Sequence, residues 1–211
     1  MKRMLPWLVV LALGAGLCRL FPPFRVHSLK AVREAQAAGR FDPVAFAHEF
    51  WSGRMLPATD RAADAALVLA AISGGPAKVR EQFGRTVGVS GSYFLFLRGS
   101  ARVVSTNDDA IGLSVKPGGD TADIVVPLGL VFGNAVRDGT GLLDSSSYPN
   151  AQEFNDISAA LNSIVETNVL PRLQQAARIG RRLQFAGCAE VADEESDLKP
   201  LKLVPIKIEP E

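Results

Sequence analysis

The chain has 211 residues, 47% hydrophobic and 21% charged, with a formal net charge of +1. That is room for one domain or two small ones, too apolar for a disordered chain and, with two Cys, too poor in sulfur for a disulfide scaffold. With 23 Lys+Arg against 22 Asp+Glu no strong field gathers polyanions, so no nucleic-acid partner is expected, and two His beside two Cys leave little material for a nitrogen–sulfur metal site.

Residues 1–18 read MKRMLPWLVVLALGAGLC. Lys2 and Arg3 form a basic start, Leu5 to Leu17 an apolar run, and Gly14, Ala15 and Gly16 a small-residue segment before Cys18. This is the layout of an export signal. The run is short for a spanning helix, which needs about 20 apolar residues. Three fates stay open: acylation at Cys18, an uncleaved membrane anchor, or simple cleavage. A lipoprotein site wants a small residue directly before the Cys, and Leu17 stands there. Positive charge inside favours a body outside the cytoplasm, although Arg19, Arg25 and Lys30 weaken the bias. Membrane contact is therefore expected through residues 1–21, with the body on the periplasmic face.

Residues 41–84 read as helices. Asp42-Pro43 is a start signal, since Asp caps and Pro fits the first helical position. Thr59 or Asp60 is the expected cap of a second helix that ends at Gly74-Gly75. Pro76 opens a third, Ala77 to Phe83. From Thr86 the apolar period changes to two. Tyr93 to Thr106 is a long strand with Gly99 inside it, the expected site of a bulge. Ile111 to Val115 and Ala122 to Leu128 follow, joined by the turn Pro117-Gly118-Gly119-Asp120.

Asn150-Ala-Gln-Glu153 is a capping-box variant, and the helix after it runs until Pro171 kinks or ends it. Leu183 to Val191 and Leu201 to Ile208 complete five strands with a helix between the third and fourth. That is the order of an OB-fold barrel; the alternative is another small mixed α+β sandwich. The expected class is thus α+β: an N-terminal anchor or signal (1–24), a small helical segment (25–84) and an OB-like five-stranded barrel with an inserted helix (85–211). The helices and the barrel are expected to form one globular unit.

Chemistry is sparse. His27 and His48 are the only histidines, and no HExxH, GxSxG, P-loop or CxxC motif is present. No catalytic residue, cofactor or metal ion is expected. Asp120 and Asp123 are turn formers before they are metal ligands. The long connection Gly129 to Asn162 crowds hydrogen-bonding groups together, and its weak ligand candidates are Arg137, Asp138, Asp144, Gln152, Asn155 and Asp156. An Arg fork suits an anionic or hydroxyl-rich ligand, but the first expectation is that Arg137 pairs with an Asp and pins the loop.

The runs NAVRDGTGLLD, YPNAQEFNDISAALN, VLPRL and LQFAGCAEV, with FDPVAFAHEFWSGRMLPA and GSYFLFLRGSARV earlier, resemble the domain-of-unknown-function family 2291, described as predicted periplasmic lipoproteins. The resemblance covers nearly the whole chain. It implies a periplasmic lipoprotein with an accessory role near sugar ABC-type uptake, and so a transporter component or a small solute such as a sugar as partner. It carries over no catalytic residue. Leu17 departs from the usual lipoprotein signal, and Lys116-Pro-Gly-Gly-Asp120 from a more Asp-rich hairpin. The expected function is therefore a non-enzymatic, membrane-tethered periplasmic protein. The alternatives are an OB-fold binder of oligosaccharide or nucleic acid, which would stack bases on Tyr93, Phe94 and Phe96, and an uncharacterised enzyme.

Overall fold

Asp42 opens the first helix because its carboxylate accepts from the backbone N–H of Val44 and Ala45, both at 3.0 Å. The computed structural model describes residues 41–211 except 89–90, 145–147 and 149. The expected anchor 1–24, Cys18 within it, and His27 lie outside the described residues. Among the described residues no helix is long and apolar enough to cross a membrane.

Helix α1 (Pro43–Phe50) widens into a π turn (Trp51–Met55) and continues as α2 (Leu56–Ala58) and a 3-10 turn (Thr59–Arg61). The π turn lets the helix run into Pro57, whose nitrogen has no hydrogen to donate. A two-residue strand β1 (Ala63–Asp64) leads into α3 (Ala65–Ser73), and α4 (Pro76–Phe83) follows. The expected second cap is corrected here: Thr59 and Asp60 lie in the 3-10 turn, and Asp64 caps α3 through Ala66 and Leu67.

Strand β2 (Tyr93–Thr106) is the spine. It pairs antiparallel with β5 (Arg182–Val191) along Tyr93–Arg102 and with β3 (Ala110–Ser114) along Arg102–Thr106. Strand β4 (Ile124–Pro127) pairs with β3. The last strand of the sequence divides in two. Its start, β6 (Leu201–Lys202), pairs parallel with β4; its continuation, β7 (Val204–Pro210), pairs antiparallel with β5. The sheet path β6-β4-β3-β2-β5-β7 therefore begins and ends on one segment interrupted only at Leu203. The expected five strands are thus corrected to a seven-stranded sheet, because the fifth divides at Leu203 and β1 adds to β2; with both ends of the path on one segment, the sheet curls into a half-barrel of the OB kind.

The interior follows the pleat. Leu97, Ala101, Val103, Ile111, Leu113, Ile124, Leu183 and Leu201 are fully buried. Tyr93 is also buried, with the Arg80 guanidinium 4.7 Å from its ring centroid, and Phe94 is 3% exposed. These rings are core, not a stacking platform. Gly99 makes no bulge: the β2–β5 ladder runs through it unbroken, and the register shift of β2 falls between Val103 and Ser105. Gly99 is small for another reason, since a Cβ there would stand 3.1 Å from the Ala65 methyl at the start of α3.

Two more segments differ from expectation. The polar connection after β4 contains a short buried helix, α5 (Ala135–Gly139). Helix α6 (Ala151–Ile164) neither kinks nor ends at Pro171; a π turn (Val165–Val169) leads into α7 (Leu170–Ala176), which places Pro171 in its first turn. Asn150 caps α6 through the Glu153 N–H at 2.8 Å, and its own amide reaches the Glu153 carboxylate at 3.1 Å. Helices and barrel together make one unit, Asp42–Glu211.

Candidate functional site

The β2–β5 ladder has two halves on its outer face. Residues of even number on both strands share that face, because the ladder pairs Arg98 with Ala186 and Phe96 with Cys188 and its pleat alternates. Helix α5 covers the upper half. Gly139 lies so close to Cys188 that a Cβ would meet Sγ at 2.6 Å. Burial there pushes the Cys188 thiol well above its ordinary range, and the side chain packs as a small apolar group.

Arg137 and Asp138 hold α5 to α6. Arg137 Nε and Nη2 donate to the two Asp138 carboxylate oxygens at 2.8 and 2.9 Å, a bidentate pair at 5% and 4% exposure. Nη1 donates to the Phe154 carbonyl at 3.2 Å and to Asn155 Oδ1 at 3.3 Å, and the guanidinium lies 3.8 Å from the Phe154 ring centroid. Such an arginine is spent on structure. Of the other sequence candidates, Gln152 donates to Asp156 at 2.7 Å across one exposed helical turn, and Asp144 is exposed in the loop between α5 and α6. The six candidates thus divide into the buried pair Arg137 and Asp138 with the exposed Asn155 bonded to it, and three residues outside it, of which Asp144 and Gln152 are exposed and Asp156 half-buried. The loop before α5 is pinned too: Ser158 and Asn162 donate to the Gly133 carbonyl at 3.1 and 3.0 Å, and the Val131 N–H to Glu166 at 2.7 Å.

The hairpin carboxylates are likewise committed. Asp123 accepts from Ser114 Oγ and the Val115 N–H and pairs with Lys116; Asp120 pairs with Arg102. Among the described residues no group of three or more His, Cys, Asp or Glu could hold a metal ion.

The lower half of the outer face is open. A groove of about 340 Å³ runs across β2, β5 and β7, with the 3-10 turn and the start of α3 as one wall. Strand register sets its lining in rows. Asp64, Arg98, Ala186 and Lys207 are cross-strand neighbours, and so are Ser100, Gln184 and Glu209. Beyond them Arg182 binds both Glu211 at 2.9 Å and Ser100 Oγ at 2.7 Å. The Ser100 hydroxyl and the Arg182 guanidinium hold the Glu211 carboxyl below its usual range. Ala186 is the small member of its row, so the floor is low between Arg98 and Lys207.

Sequence reasoning missed this groove. Its walls come from residues 59–64, 98–100, 184–186 and 207–211, which meet only through the ladder. The one available signal was Arg98, Ser100 and Arg102 alternating with the apolar Leu97, Ala101 and Val103 on β2.

Comparison with solved structures agrees with the barrel topology. A crystal structure of an OB-fold protein from Thermotoga maritima superposes with a TM-score of 0.72 at 24% identity, covering 82% of this chain and 99% of that one. No curated protein matches. The model of the predicted periplasmic lipoprotein family DUF2291 matches residues 8–209. The chain therefore belongs to that family, and its localisation is periplasmic.

Proposed function

We propose that the protein is a non-enzymatic, membrane-tethered binding protein of the periplasm, accessory to sugar uptake through an ABC-type transporter. The observation that carries this reading is the polar groove on the outer face of β2, β5 and β7. It offers carboxylates, an amide, a hydroxyl and two cations around a low floor, which is the set of groups that hydrogen-bonds a small hydroxyl-rich solute. The family's description as periplasmic lipoproteins supports the tether, with residues 1–21 as the membrane contact. The resemblance supports the transporter link. The exposed His48 and the deeply buried Cys188 thiol support the non-enzymatic reading. An OB-type nucleic-acid reader is disfavoured, because Tyr93 and Phe94 are core and the net charge is +1.

The test is uptake of labelled sugars by whole cells with the gene deleted. Uptake of at least one sugar should fall and return when the gene is supplied in trans. Uptake rates unchanged across a panel of pentoses, hexoses and sugar acids would overturn the proposal.

A further inference from the structure

Charge pairing in the groove narrows its ligand. Four carboxylates stand against two cations among its lining residues, but most of that charge already has a partner. Glu211 is paired with Arg182 and Glu209 with Lys207. Asp64 accepts the Ala66 and Leu67 N–H groups at the start of α3. Two charged side chains remain: Arg98 on the β2 floor and Asp60 on the wall. Among the described residues neither makes an ion pair.

We propose that the groove binds an anionic sugar, with the Arg98 fork taking its carboxylate or phosphate and Asp60, Ser100 and Gln184 its hydroxyl groups. This rests on the reading of the groove as a solute site. A guanidinium presents parallel N–H donors that match a planar carboxylate or a phosphate edge. Lys207 stands two strands away across Ala186, about 10 Å by two inter-strand spacings. Its exposed pair with Glu209 is of the weak surface kind, so the ammonium is free to turn toward an anion between the two cations. Ala186 leaves the space in which that anion would sit. A carboxylate such as Asp60 on the opposite wall accepts from hydroxyls, which suits a polyol and repels a second negative group. The ligand therefore carries one anionic group, carboxylate or phosphate, at one end and is a polyol at the other.

Contrast Arg137, which shows what an arginine of this chain looks like when its partners are internal: carboxylate, carbonyl and amide oxygens all lie within 3.3 Å. Arg98 has no such set. An exposed arginine costs little to keep, and Arg98, with Asp64 next to it on β1 and Lys207 two strands away, makes no ion pair that an incoming anion would have to break.

The experiment is calorimetric titration of the full-length protein in detergent micelles with glucuronate, gluconate, glucose 6-phosphate, glucose and alanine. At least one anionic sugar should bind ten-fold or more tightly than glucose, and the preference should shrink as salt is raised. The carboxylate and phosphate arms tell the two anion sources apart. Arg98→Ala should abolish the preference and Arg98→Lys should restore part of it, while circular dichroism shows both variants folded. Glucose bound as tightly as every acid would overturn the inference and leave a sugar site standing. Alanine bound in place of the sugars, or an unchanged preference in Arg98→Ala, would also overturn it. Binding of nothing in the panel would overturn it too, and the whole-cell uptake experiment would then judge the proposed function separately.

Discussion

The two halves of the outer face of the β2–β5 ladder use the same residue type in opposite ways. On α5, which covers the upper half, Arg137 is 5% exposed and bonded to Asp138, Phe154 and Asn155. In the open groove, Arg98 is exposed and has no ion-pair partner among the described residues. Burial makes the difference. A guanidinium taken out of water must find acceptors inside the protein, whereas one left in a groove keeps water until a ligand replaces it. The covered half is built for stability and the open half can exchange partners.

The sharpest way to break that comparison is Arg137→Ala. The substitution leaves Asp138 buried at 4% exposure without its bidentate donor, and the Phe154 ring loses the plane that covers it. Removing one member of a buried pair costs about 3 to 5 kcal/mol. The melting temperature of the full-length protein should fall by many degrees. An unchanged or raised melting temperature would show that Arg137 is strained for function, as groups held for a ligand are, and would move the candidate site to α5.

A smaller effect tests the fit of α5 on the sheet. Gly139 packs against Cys188 so closely that a Cβ would stand 2.7 Å from the Cys188 Cβ, and neither atom is the end of a flexible chain. Gly139→Ala must shift α5 or β5, and overpacking of this kind costs about 1 to 3 kcal/mol. Chemical denaturation at fixed pH reads it as a lower midpoint. Pairing it with Cys188→Ala should recover part of the loss, because Sγ is one of the atoms in the way. Equal destabilisation in both backgrounds would mean that α5 does not rest on Cys188.

How much of this was legible from the chain depended on whether the cause was local. Asp42-Pro43 and Asn150 with Glu153 act within four residues, so their caps could be read and are present. The length of β2 and the order of strands around α6 were readable from period and punctuation. Asp64 escaped as a cap because the rule is met equally by Thr59 and Asp60, and the β1–β2 pairing that holds Ala63 and Asp64 extended is long-range. Pro171 looked like a helix terminator because its lost hydrogen bond is local, while the π turn that absorbs it spans Val165–Val169. Arg137 and Asp138 are adjacent in sequence, and an ion pair was a local expectation. The groove required three strand registers at once, and a shift of one residue in any of them would send Arg98, Gln184 or Lys207 to the other face. Nothing in a run of residues specifies such a meeting.

The smallest expected effect completes the contrast between the two arginines. Arg98 holds no internal acceptor, so Arg98→Ala removes a solvated charge and little else. Its neighbours are unaffected in kind: Asp64 keeps its two helix N–H donors, and Ala186 stays buried by the strands on either side. Surface substitutions of this sort change stability by about 0.5 kcal/mol or less. Asp64 beside it loses an opposite charge and Lys207 two strands away a like one, so the two electrostatic effects oppose each other. In the melt used for Arg137→Ala, Arg98→Ala should therefore overlay the unsubstituted protein. A fall comparable to that of Arg137→Ala would mean that Arg98 is anchored in the fold after all, and the two halves of the face would no longer differ in kind.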